Sequence, residues 1–417
     1  MTTTTPDKVA SAPPKSAGPG PAEWLKENLF SSWFNTLLTI VVTAVLAIAF
    51  WNLLSWAFTS AQWQVIPNNL GLFMTGLYPR EMHWRIWTLF GVVMTLAGVS
   101  WGTLTRGAAS LMTRPMLIGL GIAIAALIII PALPRGEEAP AFLLTPFAAA
   151  ILIGLIVVAV AAAYIARSVT QKSPSIAQWL PLAWVLSYIV ALWLIGGGLG
   201  IEEVRSNDWG GLVLTLLLAV TGIALCFPIG VILALGRRSD LPIVRWLSVA
   251  YIELVRGTPL IAILFMGQVM IPLFLPEGLR PDRIIRAVIA LTLFSSAYLA
   301  ENVRAGLQSV PRGQSEAAVS LGLNKPLTVA FIVLPQALKI AIPAIVGQFI
   351  SLFQDTTLLA TLGLIELLGI SQSVLANPSY LGRYAEVYLF IGVIYWFFCY
   401  AMSLGSRRIE EQFNTGH

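Results

Sequence analysis

The chain has 417 residues, of which 57% are apolar and 11% are charged. Soluble domains carry about 25% charged residues, so this composition excludes an ordinary soluble enzyme and favours a membrane protein. The formal net charge of +5 is small, and it gives no reason to expect a nucleic-acid partner. Two cysteines inside apolar runs and two widely separated histidines predict no disulfide framework, metal site or bound cofactor.

Composition along the chain predicts four segments. Residues 1–28 are rich in Thr, Pro, Ala, Gly and Lys, which cannot form a core, so a disordered cytoplasmic tail is predicted there. Accessory membrane helices are expected at 29–205 and a membrane core at 211–405, joined by the polar linker 200–211. Residues 406–417 are expected to form a cytoplasmic C-terminal tail.

Ten apolar runs have the length of about 20 residues that is needed to cross a hydrocarbon core. The predicted spans are 33–58, 86–105, 115–133, 142–166, 178–198, 211–235, 252–275, 284–304, 337–355 and 386–405. The predicted fold is therefore all-α, a polytopic integral membrane helix bundle of about ten transmembrane helices. Residues 356–375 could form an eleventh span, but Gly363, Glu366 and Gly369 favour an interfacial or re-entrant helix.

The distribution of basic residues predicts the orientation. With the N-terminus in the cytoplasm, sixteen Lys and Arg residues fall on the cytoplasmic side of the ten spans and eight on the other side. Because cytoplasmic loops carry an excess of basic residues, both termini are predicted to be cytoplasmic. The polar loop at 305–336 then lies on the same side.

Within that loop, the sequence predicts a short helix, a turn and a second short helix. The first helix is expected to begin at Glu316–Val319, with Gln314 or Ser315 as its cap. The second run, Leu327–Val333, is expected to stop at Pro335, which cannot continue a helix. Three residues that favour turns separate the two runs, namely Gly322, Asn324 and Pro326.

This spacing of E-A-A, a later Gly and I-x-L-P resembles the EAA loop of type I ABC-transporter permeases. The matching residues are Glu316, Ala317, Ala318, Gly322, Ile332, Leu334 and Pro335. The resemblance implies that the loop docks onto a separate ATPase subunit and that the five C-terminal spans form the type I permease core. The alternative is an ordinary amphipathic connector. No G-x-x-x-x-G-K-[ST] string occurs, so this chain is not expected to be an enzyme.

Three further strings resemble the polar amino-acid uptake permeases, a subgroup of that family. They are E-x-x-R-G-T-P at 253–259, the Ser-rich string 295–301 and D-T-T-L at 355–358. The residue before the third string is commonly Lys in the subgroup but is Gln354 here, so the role of that position does not carry over. The N-terminal extension is most like the M-type permease of general L-amino-acid ABC importers.

Charged residues in the spans are candidates for gate residues or ion pairs. Glu253 and Arg256 are three residues apart, so they are expected to share a helix face and to pair. A pair at the membrane rim is favoured there over contact with a ligand. Glu301 needs a partner at its depth, and Arg304, one turn away, is the expected one. Asp355 is the remaining gate candidate.

Uncharged polar side chains near the middle of the sixth to ninth spans are predicted to line a substrate path. They are Thr221, Gln268, Ser295, Ser296, Tyr298, Gln348 and Ser351. A zwitterionic solute that loses its hydration needs such groups. The alternative for each of them is that it holds neighbouring helices together.

The resemblance implies a permease subunit of an ATP-driven amino-acid importer in a bacterial inner membrane. It also implies ATPase subunits, a second permease subunit and a periplasmic amino-acid-binding protein as partners. An ion-gradient-driven secondary transporter and a membrane scaffold are the rival interpretations. The first usually shows inverted repeats, and none is evident between the two halves of this sequence.

Overall fold

The computed structural model describes residues 20–105, 111–112, 114–132 and 145–413, and in those ranges its regular elements are all helical. The first seven α-helices described are α1 (Pro21–Asn28), α2 (Trp33–Thr59), α3 (Val65–Thr75), α4 (His83–Leu104), α5 (Arg114–Ala132), α6 (Pro146–Lys172) and α7 (Leu180–Gly196). The next five are α8 (Gly211–Arg237), α9 (Pro242–Arg256), α10 (Leu260–Phe265), α11 (Ile271–Phe274) and α12 (Arg283–Ser309). The last five are α13 (Arg312–Ser320), α14 (Lys325–Thr328), α15 (Leu334–Asp355), α16 (Leu367–Leu375) and α17 (Tyr384–Phe413).

The chain divides into one compact unit that ends at Gln62 and a second that begins at Trp63. The first unit contains α1 and α2. Residues 1–19 of the predicted disordered tail lie outside the described residues, but α1 shows that residues 21–28 are helical. Pro21 suits the first turn of a helix, and Glu23 accepts a hydrogen bond from the Gly20 N–H at 3.3 Å, which caps the helix.

Eight helices among the described residues are long and apolar enough to cross a bilayer. A ninth span is added if the bent pair formed by α9 and Leu260–Phe274 counts as one. The span predicted at 115–133 is shorter in the structure, because the apolar part of α5 is confined to Leu117–Ile129. That stretch measures about 20 Å, against a hydrocarbon core of roughly 30 Å. The polytopic helix bundle is confirmed, with a smaller number of full-length spans.

The seventh predicted span, 252–275, departs most from the structure. Its first residues belong to α9, and the chain bends by 104° before Leu260–Phe274. The break falls at Gly257-Thr258-Pro259 because Pro259 has no N–H with which to continue the helix. The N–H of Thr258 is still satisfied, since it donates to the carbonyl of Val255 at 3.2 Å. A π-helical turn, Met266–Met270, then joins α10 to α11.

The helix at the centre of the C-terminal part is α12, which packs between α8 and α15. Fourteen of its residues are buried. Where α12 crosses α15, the backbones come close at Gly306, because a Cβ added there would lie 2.4 Å from the Ala337 carbonyl oxygen. Small residues permit such close crossings in membrane proteins.

The helix α3, which follows α2, belongs to the packed core. Val65 and Phe73 are buried, and they lie against α8, α16 and α17. The ring of Phe73 contacts that of Phe390 with their centroids 5.3 Å apart. The Asn68 side chain donates to the Tyr380 hydroxyl at 3.3 Å. The structure therefore joins residues 65–75 to the core predicted at 211–405.

Residues 356–375 form a re-entrant segment and not an eleventh span. They begin with a 3₁₀ turn, Thr356–Leu362, and the chain reverses at Gly363, whose φ is 76°. The helix α16 that follows has nine residues, or about 14 Å, which is too short to cross. The segment is fixed to the start of α8, since the Gly211 N–H donates to the Ile365 carbonyl at 2.9 Å.

We expect Gly306→Val to destabilise the protein, because the new side chain must push α15 away from α12. Overpacking of this kind costs about 1–3 kcal/mol, which should lower the thermal midpoint measured by fluorescence-detected size-exclusion chromatography. Gly347→Val is the matched control, since a Cβ at Gly347 meets no atom within 4 Å. Equal midpoints for the two variants would contradict the close crossing.

We expect removal of residues 1–62 to leave a folded membrane protein, because they form a separate unit. Removal of residues 1–205 should not, since it also takes away Val65 and Phe73 from the core. Loss of one buried Phe side chain alone costs about 3–5 kcal/mol. Elution profile and thermal midpoint in detergent compare the two truncations, and a stable, monodisperse 206–417 fragment would refute the structural role of α3.

Candidate functional site

The loop between α12 and α15 begins with α13 at Arg312, directly after Pro311. The prediction that this helix starts at Glu316, with Gln314 or Ser315 as cap, is therefore wrong. Pro311 is held at φ −59° and ψ 137°, and this extended conformation ends α12 and sets the entry to α13. Glu316 is exposed on α13, as is Ala317, whereas Ala318 is buried.

A turn at Gly322 reverses the chain after α13. Its φ is 83°, a left-handed conformation in which glycine is the favoured residue. The N–H of Leu323 donates to the Ala318 carbonyl at 3.1 Å, which satisfies one carbonyl at the end of the helix. Asn324 caps α14 by accepting from the Leu327 N–H at 3.1 Å. The predicted order of helix, turn and helix is thus confirmed, with different boundaries.

The second helix of the loop does not stop at Pro335, as was predicted. It passes from α14 through a π-helical turn, Val329–Val333, directly into α15. Pro335 lacks an N–H, so a regular α-helical hydrogen bond is missing there in any case. The wider turn accommodates the missing bond, and the N–H of Leu334 donates to the Val329 carbonyl. The loop is therefore continuous with α15.

The surface of this loop combines charge with exposed apolar side chains. Val319, Leu321 and Phe331 are 61%, 84% and 69% exposed. On its other side the loop is tied to the turn after α8 by an ion pair between Lys325 and Asp240. The hydrogen bond and positive charge of Lys325 lower the pKa of the Asp240 carboxyl. The arrangement leaves one face of the loop open for contact.

Next to the loop, five charged side chains of α8, α9 and α12 form one network. Glu301 accepts from Arg237 at 2.9 Å and from Arg304 at 2.7 Å, and it lies 3.5 Å from Arg256. Arg237 also pairs with Glu253 at 2.8 Å. The expected partner of Glu301 is thus in place. The predicted pair of Glu253 with Arg256 is not formed, because each of them meets a closer partner on another helix.

The side chains predicted to line a substrate path lie in different surroundings. Ser295 and Ser296 are fully buried. Ser296 donates to the Leu293 carbonyl at 2.9 Å and lies 3.0 Å from the Tyr251 hydroxyl. Within the described structure the Ser295 hydroxyl has no hydrogen-bond partner. Both residues therefore lie on the face of α12 that is packed in the interior of the protein.

Two other predicted path residues contact neighbouring helices. The Thr221 hydroxyl of α8 is hydrogen-bonded to that of Tyr188 in α7. The Gln268 side chain, in the π-helical turn before α11, donates to the Arg283 carbonyl at 2.6 Å. These contacts join helices, which is the alternative that the sequence left open for each polar residue.

The remaining three path residues keep part of their surface accessible. Gln348 and Ser351 are half-buried on α15, and the Ser351 hydroxyl lies 3.5 Å from an Asp355 carboxylate oxygen. Tyr298 on α12 lies beneath the Arg256 guanidinium, 5.4 Å from its ring centre. Among the described residues, no group of three His, Cys, Asp or Glu side chains is placed to hold a metal.

Glu366 is a structural centre that sequence reasoning did not assign to any site. It is fully buried and caps α16 by accepting from the Leu368 and Gly369 N–H groups at 2.8 and 2.9 Å. The Tyr395 hydroxyl donates to it at 3.3 Å, and that of Thr215 lies 3.5 Å away. The sequence signal that could have indicated this role was a single Glu directly before an apolar helical run, where a capping residue is expected.

The C-terminal part of the chain is similar to a known protein family. Residues 226–414 match the family model described as binding-protein-dependent transport system inner membrane component. A shorter relative, the probable glutamine ABC transporter permease protein GlnP of Bacillus subtilis, is 36% identical over 50% of this chain and 94% of its own.

Two relatives match almost the whole chain. The inner membrane amino-acid ABC transporter permease protein YhdY of Escherichia coli strain K12 is 38% identical over 98% of both chains. The glutamate/glutamine/aspartate/asparagine transport system permease protein BztC of Rhodobacter capsulatus is 36% identical over 99% of this chain and 98% of its own. This likeness over nearly full length shows that the chain belongs to the type I permeases of polar amino-acid ABC transporters, which are transport subunits of the inner membrane and not enzymes.

Proposed function

We propose that this permease carries polar amino acids into the cell and is driven by ATP hydrolysis on a separate subunit that docks at the loop of residues 312–335. The observation that carries the proposal is the exposed face of this loop, which is held by Gly322 and continues into α15. A docked subunit that moves α13 also pushes on α14 and the π turn, against which α13 packs, and these continue directly into α15.

The apolar and charged residues of the loop fit such a contact. Val319 and Leu321 offer apolar side chains near the tip, and Glu316 lies exposed on α13. Protein interfaces combine apolar anchors with a polar rim in this way. Ala318 is buried and anchors the helix on its inner side. The coupling residues carried over from the family therefore have two roles: exposed ones contact the ATPase, and buried ones support the helix.

The partners follow from the family and from the predicted orientation. With both termini in the cytoplasm, the loop faces the ATPase subunits. The end of the protein with Gly363 and Glu366 then faces a periplasmic amino-acid-binding protein. A second permease subunit, which we take to be a different chain, completes the membrane part. Residues 29–205 add accessory helices, of which α3 braces the core through Val65 and Phe73.

The substrate class follows from the names of the relatives and from the part of α15 that remains accessible. One full-length relative is named for glutamate, glutamine, aspartate and asparagine. We assign the substrate path to Gln348, Ser351 and Tyr298, with Asp355 and Arg256 as charged residues near its two ends. Ser296, Thr221 and Gln268 support the path by holding its helices together, whereas Ser295 is packed in the interior without a hydrogen-bond partner.

Gly322→Val should uncouple ATP hydrolysis from transport. A side chain there meets no atom within 4 Å, so the effect is conformational: a left-handed backbone costs an L-residue about 1–2 kcal/mol. Gly322→Asn is the matched control, since Asn tolerates positive φ. Substrate-stimulated ATPase activity of the reconstituted complex should fall with Val and persist with Asn. Full stimulation in the Val variant would refute the role of this turn.

Ser351→Leu should block uptake, because it replaces a half-buried hydroxyl on the path with a bulky apolar side chain. A substrate polar group left unpaired costs more than about 1.4 kcal/mol, so uptake should fall by about tenfold or more. Basal ATP hydrolysis should survive. Ser295→Ala is the control: its hydroxyl is buried and unpartnered, so its loss should leave uptake intact. Normal transport by Ser351→Leu would place the path elsewhere.

A further inference from the structure

The helix α9 presents three distinct faces around its axis. Its buried face consists of Ser248, Ile252 and Val255, which pack on α8 and α12. The contact with α8 is at the last turn of that helix, because a Cβ added at Gly236 would lie 2.3 Å from the Ser248 hydroxyl oxygen. Since α8 is one of the membrane spans, α9 lies where a span ends.

A second face of α9 is apolar and exposed. Ile243, Trp246, Leu247 and Leu254 are 73%, 68%, 55% and 73% exposed. Trp246 and Leu247 lie three and four residues after Ile243, and Leu254 lies seven residues after Leu247, so the four form one continuous stripe along the helix. The stripe is turned away from the buried face. In water, four large apolar side chains in a row would form the kind of patch that marks a contact surface.

The third face of α9 carries its charged residues along one edge. Glu253 and Arg256 are held there by the ion pairs to Arg237 and Glu301. Arg245 is exposed on the same edge, and Arg238 is exposed at the end of α8. Basic side chains beside an apolar stripe can extend their charge to polar headgroups while their stems cover apolar surface.

The direction of α9 relates the stripe to the membrane. The axes of α9 and of Leu260–Phe274 differ by 104°. If Leu260–Phe274 runs along the bilayer normal, α9 lies nearly parallel to the membrane surface. An amphipathic helix in this direction, with Trp on its apolar side and Arg on its polar edge, has the properties of an interfacial helix.

We propose that α9 is an interfacial membrane helix, and that its stripe of Ile243, Trp246, Leu247 and Leu254 is embedded between anionic headgroups and acyl chains of the leaflet on the loop side. This goes beyond the transport function, since it assigns a lipid contact to a helix that the sequence had placed partly in a span. Lipid fits better than a protein partner because charge is confined to one edge and the stripe itself carries no polar group to specify a partner.

The anchor has a mechanical consequence for the core. Between α9 and Leu260 lies the break at Gly257-Thr258-Pro259, and α9 is joined to α12 through the ion pair of Arg256 with Glu301. Lipid contact on the outer side and the ion network on the inner side hold α9 in place. The break can then bend while α9 stays fixed in the interface.

Spin-label depth measurements test the proposal. Cys226 and Cys399 are replaced by Ala in the full chain, which is purified with its associated subunits. Single cysteines at Ile243, Leu247 and Leu254 are then labelled with a nitroxide. The samples are reconstituted into vesicles of phosphatidylethanolamine and phosphatidylglycerol. Collision with oxygen, which partitions into lipid, is compared with collision with a water-soluble nickel chelate. Labels on the stripe should favour oxygen and lie about 5–10 Å below the headgroups.

Two controls calibrate the scale. Val157→Cys, exposed near the middle of α6, should report the deep bilayer, and Glu203→Cys, exposed in the polar linker 200–211, should report water. Stripe labels that collide mainly with the nickel chelate would show an aqueous surface and overturn the proposal. Labels shielded from both reagents would show that protein covers the stripe, which would also overturn it. Because three positions are labelled independently, the test still gives a result if one of the variants misfolds.

Discussion

Within a bilayer, a backbone N–H or C=O group finds no water, so every interruption of a helix must be compensated by protein. The structure meets this requirement at each of its main breaks. At the bend after α9, the Thr258 N–H binds within its own turn. In the re-entrant segment, the Gly211 N–H and the Ile365 carbonyl bind each other, and the Leu367 N–H binds the Thr215 hydroxyl at 3.0 Å. Before Pro335 a π turn serves the same purpose.

The same constraint explains where charge is placed. Ionised side chains removed from water need partners, and Glu301 has three guanidinium groups around it, from Arg237, Arg256 and Arg304. These groups come from three helices that meet beside the loop. The network therefore fixes the relative positions of α8, α9 and α12 where the loop begins, in addition to neutralising the carboxylate. Glu366 has a comparable position at the opposite end of α8, with donors from α8, α16 and α17.

Sequence reasoning recovered the features that depend on local pattern. Apolar length predicted most of the spans, and the Gly322 turn was evident from residue type and spacing. It failed where a distant part of the chain decides the structure. Arg256 pairs with Glu301 and not with Glu253, because a helix 45 residues further along brings a closer carboxylate. The α3 helix was left outside the predicted core of 211–405, since a short apolar stretch does not reveal what will pack around it. Pro335 was read as a stop, although a π turn lets the helix continue.

The position of α3 also sets an order of events during synthesis. Its contacts with α17 join residues more than 300 positions apart, as in the ring contact of Phe73 with Phe390. At about 5–20 residues per second, the ribosome needs on the order of 15–60 s to produce that length. Throughout this interval Phe73 has no Phe390 to pack against. The nascent chain must keep α3 at the membrane, packed at most on α8, until its final helix has been inserted, and only then can the core close around it.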